Sequence, residues 1–168
     1  MTTPLSPADV QDTCTVLSSP LLIRLVTEID DNGPIPQRGL ARTLPDLSVY
    51  QLRRATDLAR TLGLVHVRSG AALDLTTSGA GLADVYDASA RWARRHAYPA
   101  PVARFTNRIQ HTLTLLAQTP QAPSARGPRT SANKPRLSEE ALAELARPRD
   151  LLGQWLHAQG QAGHSDAA

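Results

Sequence analysis

The feature that most constrains this chain is a change of period in its apolar residues. From Leu21 to Leu62 they recur at helical spacing, between Leu64 and Leu75 they alternate, and from Leu82 onward the helical spacing returns. The alternating stretch reads as two strands, Leu64-Val65-His66-Val67-Arg68 and Ala72-Leu73-Asp74-Leu75, closed by Ser69-Gly70-Ala71. A short hairpin set between helices limits the fold to a mainly α protein with a small β-hairpin.

The flanking helices follow from caps and breaks. Ser6 and Pro7 open a first helix that runs to Leu17. Leu21, Leu22, Leu25, Val26 and Ile29 form the stripe of a second, ended by Asn32-Gly33-Pro34. A short third helix is expected over Pro36–Leu44. After Leu44-Pro45-Asp46, Ser48 caps a fourth that lasts to Leu62, and Gly63 stops it. Thr76 or Thr77 caps a long fifth helix reaching His96, with Leu82, Val85, Tyr86, Ser89 and Trp92 on one stripe. Val102, Phe105, Ile109, Leu113 and Leu116 mark a sixth. Residues 119–136 are rich in Pro, Ser, Ala and Arg and read as a flexible linker. Residues from Ser138 to about His157 read as helical, with Leu142, Leu145, Leu151, Leu152 and Trp155 apolar. Pro148 is expected to kink or split that helix, and the tail beyond Gly160 to be disordered. The organisation is a 1–96 unit, an accessory or dimerisation helix over 97–118, the linker, and a C-terminal helix with its tail over 137–168.

Charge adds a direction. The sequence pI is about 9.6, and the positive charge is almost all arginine, with Lys134 the one lysine. A GC-rich genome produces that bias unaided, so position counts for more than number. Arg38, Arg42, Arg53, Arg54, Arg60 and Arg68 gather between Gln37 and Arg68, against only Asp46 and Asp57. Two helices joined by a tight turn and followed by a hairpin form a winged helix-turn-helix, here with additional C-terminal helices. The major groove of DNA, about 12 Å wide, admits one helix, the preceding helix positions it, and the hairpin wing reaches the backbone. The fourth helix suits the reading role. Leu47, Leu52, Ala55, Ala59 and Leu62 face the core, and Ser48, Val49, Tyr50, Gln51, Arg53 and Arg54 supply the DNA-reading edge. Arg53 or Arg54 can bond guanine bidentately. Ser48 is both a cap and a phosphate donor, and Arg38, Arg42 and Arg68 are candidates for phosphate contacts.

Several motifs resemble the HxlR family of winged-helix regulators: Gly33-Pro34, Leu40 through Ser48 (LARTLPDLS), Leu52, Gly63-Leu64-Val65, and Leu75-Thr76-Thr77-Ser78-Gly79 followed by Leu82, Val85 and Arg91-Trp92-Ala93. MarR-like and PadR-like regulators share parts of this pattern. The resemblance spans about Val16 to His96. It departs at Ser18-Ser19-Pro20-Leu21, where the family has Gly-Gly-Lys-Trp, in a shorter hairpin, and in the long region after Ala97. It implies a bacterial homodimer, joined through terminal helices, on a near-palindromic double-stranded DNA operator.

Other chemistry is weakly represented. Cys14 lies inside a helix with no basic cluster around it, so an inert thiol is expected rather than an oxidant sensor. Tyr86, Trp92, His96, Phe105 and His111 form a candidate pocket, for a small-molecule effector or a dimer contact. The histidines show no metal-ligand spacing and no catalytic motif is present, so no enzyme, metal or cofactor is expected. With no apolar run of membrane-spanning length and no leader pattern, a cytoplasmic location without membrane contact is expected. A protein-interaction module on the same scaffold is the competing function.

Overall fold

The structure is a computed structural model describing residues 6–118 and 137–165, with side chains to residue 162. The expected linker therefore lies outside the described residues. Helix α1 (Pro7–Leu17) starts on a capping box: the Ser6 hydroxyl accepts the Asp9 N–H while the Asp9 carboxylate accepts the Ser6 N–H. Helix α2 (Pro20–Asn32) buries Leu22, Ile23, Leu25, Val26 and Ile29. So broad an apolar face needs cover on several sides, and α2 packs against α4 (Val49–Thr61), β3 (Ala72–Leu75), α5 (Thr77–Arg95) and α6 (Phe105–Gln118). Each fully buried aliphatic side chain contributes roughly 1.5–3 kcal/mol, which makes α2 the centre of the core.

The expected third helix divides. Ile35–Pro36 forms a short strand, β1, residues 37–39 a tight turn, and only Leu40–Thr43 a helix, α3. Ile35 is buried and pairs with Leu73, so sheet pairing holds the start of the segment extended. Helix α4 and strand β2 (Val65–Arg68) follow. The sheet is antiparallel in the order β1-β3-β2, with Val65 opposite Leu75 and Val67 opposite Leu73. The alternation places Val65 and Leu73 in the core, whereas Val67, nearer the tip, is exposed. The molecule is thus mainly helical with a small three-stranded antiparallel sheet, an arrangement compatible with a winged helix.

Gly79 seats the hairpin on α5. A Cβ added there would lie 2.0 Å from the carbonyl oxygen of Leu64, so only glycine allows this approach. The Thr76 hydroxyl accepts the Gly79 N–H and donates to the Gly63 carbonyl, tying the start of α5 to the end of α4.

In the C-terminal part, α7 (Glu139–Glu144) and α8 (Ala146–Ser165) are separated at Leu145, not at Pro148. Pro148 lies in the first turn of α8, where a missing N–H leaves no helical hydrogen bond broken. Helix α8 also continues to Ser165, where a disordered tail was expected. Its long axis packs on α5: Leu152, Trp155 and Leu156 are buried, and the Trp155 indole N–H donates to the Ser78 carbonyl at 2.9 Å. Gln159 Nε2 reaches the Leu62 carbonyl at 3.4 Å. In α6 the apolar stripe begins later than expected. Ile109, Leu113 and Leu116 are buried, but Val102 and Phe105 are exposed. No described helix is long and apolar enough to cross a membrane.

Candidate nucleic-acid interface

Helix α4 begins where the sequence places its cap. Ser48 Oγ accepts the Gln51 N–H at 3.2 Å and Gln51 Oε1 accepts the Ser48 N–H at 2.9 Å. This reciprocal pair satisfies two donors of the first turn. It also engages Gln51, whose half-buried side chain is therefore occupied by the cap rather than free at the reading edge. The signal was available in the sequence, since Ser-x-x-Gln is a capping-box spacing. Upstream, Arg24 of α2 donates to Asp46 at 2.9 Å, fixing the loop that enters α4. That bond, with the backbone of Asp46 itself, holds the Asp46 carboxyl below the usual range.

The inner face of α4 buries Leu52, Ala55 and Ala59, with Leu47 and Leu62 packed partly against the core. The outer face exposes Val49, Tyr50, Arg53, Arg54, Asp57 and Arg60. Spacings of three and four set these residues in two adjoining rows. In one row the Arg54 guanidinium lies 5.9 Å from the Tyr50 ring centroid, a cation–π distance. The other row forms one wall of a groove of about 340 Å3, whose opposite wall is Gln37, Arg38, Leu40 and Ala41. Arg38 and Arg42 are exposed. The hairpin brings Arg68, but its guanidinium pairs across the strands with Asp74 at 3.2 Å. Among the described residues, Arg38, Arg42, Arg53, Arg54 and Arg60 have no ion-pair partner, while Arg24, Arg68, Arg91 and Arg95 do.

The second group of expected site residues does not line one cavity. Tyr86 is fully buried and its hydroxyl donates to the Leu17 carbonyl at 2.6 Å. Burial pushes its ionisation well above the ordinary tyrosine value. The Trp92 indole N–H donates to the Ala141 carbonyl at 2.8 Å, and the ring is buried beside α7. His96 and Tyr98 each lie 5.4 Å from Trp92, centroid to centroid, and Tyr98 lies 6.3 Å from His111. His96 Nε2 meets Glu144 at 3.0 Å and Arg95 meets the same carboxylate at 3.1 Å. These contacts form an aromatic seam that is tied to α7 at Trp92 and His96 and ends at the exposed His111, and Phe105 lies outside it, in a cleft with Arg91, Arg94 and Arg108. Cys14 is buried, and burial pushes its thiol up to about 11, so it stays protonated near neutrality.

Compared with protein-family models, curated proteins and solved structures, the chain has no match.

Proposed function

We propose that the protein is a sequence-specific DNA-binding transcriptional regulator of the winged helix-turn-helix type, similar to HxlR regulators. In this reading α3 and α4 are the helix-turn-helix, α4 enters the major groove, and the β2–β3 hairpin is the wing. The observation that carries the reading is a set of five arginines without carboxylate partners among the described residues, Arg53, Arg54 and Arg60 on α4, whose opposite face is locked into the core, and Arg38 and Arg42 on the adjoining turn and α3. Arg53 and Arg54 read base edges, Tyr50 and Val49 meet the groove floor, and Arg38, Arg42 and Arg60 meet phosphates. The Arg68–Asp74 pair gives the wing a smaller share. A twofold dimer doubles the contacts of a unit this size over half-sites about one helical turn apart.

Fluorescence anisotropy with duplexes from the DNA flanking its own gene tests this. Binding should fall steeply with salt, as phosphate contacts release counterions. Arg53→Ala and Arg54→Ala should weaken specific binding with the fold intact. Binding of both variants at the level of the parent would overturn the assignment of α4. Absence of binding to any fragment at low salt would instead favour a protein-interaction module. Light scattering on the free and DNA-bound protein reads the dimer directly.

A further inference from the structure

A second arginine cluster shares no residue with α4. Asp87, Ala90, Arg91 and Arg94 of α5 and Ala103, Phe105 and Arg108 around the start of α6 line a cleft of about 260 Å3. Its charges do not balance. The one carboxylate, Asp87, already holds Arg91, through Nε at 3.1 Å and Nη2 at 2.7 Å. Arg94 and Arg108 have no carboxylate partner among the described residues, and residues 119–136 contain no Asp or Glu.

Arg108 is held in place without being neutralised. Its Nε donates to the Ala103 carbonyl and its Nη2 to the Pro101 carbonyl, each at 3.2 Å. Its Nη1 is buried with no hydrogen-bond partner among the described residues. A guanidinium does not lose its proton in a protein, so a half-buried one facing only carbonyls keeps an uncompensated charge, which is costly. An anion bound in the cleft offsets that charge. Residues 101–104 (Pro, Val, Ala, Arg) carry no side-chain oxygen, so they offer no side-chain cap to the first N–H groups of α6, which adds to the positive potential. The remaining lining is apolar: Ala90, Ala103 and the ring of Phe105, itself 45% exposed. The volume lies at or below the small end of ligand sites, roughly 300–1,000 Å3, which excludes a nucleotide.

We infer that this cleft binds a small organic carboxylate, with Arg94 and Arg108 on the carboxylate and Phe105 on its apolar body. Arg94, exposed, can bond the planar carboxylate in the bidentate manner arginine favours, while Arg108, with Nε and Nη2 on carbonyls and Nη1 buried, contributes its fixed charge beside it. The full chain can be titrated calorimetrically with benzoate and with butyrate, using benzyl alcohol as the uncharged counterpart and inorganic phosphate as the anion without an apolar body. Saturable one-site binding of at least one carboxylate is expected. Affinity should be at least tenfold weaker in both Arg94→Gln and Arg108→Gln, and at least tenfold weaker for benzyl alcohol and phosphate. Among the described residues the Arg94 side chain has no hydrogen-bond or ion-pair partner, so Arg94→Gln should melt like the parent even if Arg108→Gln loosens residues 101–103. The inference is overturned if neither carboxylate saturates, if Arg94→Gln binds unchanged, or if benzyl alcohol or phosphate binds as tightly. No DNA enters these measurements, so their outcome is independent of the role of α4.

Discussion

Tyr50 and Tyr86 both lie on long amphipathic helices, and their surroundings are opposites. Tyr50 is 68% exposed in the first turn of α4, beside Arg54. Tyr86 is sealed inside the molecule and spends its hydroxyl on the end of α1. The difference extends to the whole of each helix. The large polar-tipped side chains that α5 buries have acceptors, Tyr86 on Leu17 and Trp92 on Ala141, while the small hydroxyls of Ser78 and Ser89 are buried without a partner among the described residues. The outer face of α4 offers donors that nothing in the described chain accepts. One helix is organised to hold the protein together, the other to be completed from outside.

The sharpest way to break this contrast is to truncate both tyrosines. Tyr86→Ala should cost about 3–5 kcal/mol in urea unfolding, the range for deleting a buried aromatic, whereas Tyr50→Ala should stay within about 0.5 kcal/mol. Similar costs at the two positions would erase the distinction. Next in size is Gly79→Ala, which forces a Cβ against the Leu64 carbonyl oxygen. We expect a loss of about 1–3 kcal/mol and a lower melting temperature. Gly81→Ala meets only the edge of Trp155 at 3.3 Å and should cost less.

On the α4 side the contrast predicts the reverse. Arg53→Ala or Arg54→Ala should cost about 1–3 kcal/mol in DNA binding while unfolding changes by no more than about 0.5 kcal/mol. A large fall in stability with unchanged DNA affinity would make these arginines structural. The smallest effects concern acids. Bonds from His96 and then Arg95 hold the Glu144 carboxyl low. Its contribution is therefore present above its ordinary value of 4.5 and lost as pH falls through the depressed one. Asp30 is opposite: burial, then Asp31, Asp84 and Asp87, push it up, so its ionised form is penalised in the folded protein and acidification relieves that penalty. Glu144→Gln should flatten the loss of stability on acidification, and Asp30→Asn should raise stability at neutral pH. Melting curves from pH 3 to 7 check both signs.

Local chemistry made the first half of the molecule legible. Ser6, Ser48 and Thr76 cap helices where their hydroxyls suggested, and Gly63 ends α4 with φ of +66°. The hairpin was readable because alternation and the Ser-Gly-Ala turn agree. Strand β1 was not: two residues carry no period, and only pairing with β3 makes Ile35–Pro36 a strand. The Pro148 expectation failed because proline disrupts a helix interior but not its first turn, and where α8 begins depends on how Leu145 is buried. Candidate-site residues followed the same division. The exposed arginines of α4 were visible from period alone. The fate of Trp92, bonded to an element 49 residues later in the chain, was not, and neither was the placing of Arg94 and Arg108 on one cleft.

The reach of α8 has a kinetic consequence. The bonds from Trp155 to Ser78 and from Gln159 to Leu62 join positions 77 and 97 residues apart, whereas β2 and β3 meet across a three-residue turn. Closing so long a loop is slow to find although its entropic cost grows only logarithmically. The hairpin and α4 can therefore assemble early, and α8 docks afterwards onto a surface already formed. In the native protein the end of α8 beyond Leu156 buries little, in contrast to the Leu152–Leu156 part, so it is where the helix opens most easily, and each such opening releases the Leu62 carbonyl at the end of the helix that carries Arg53, Arg54 and Arg60.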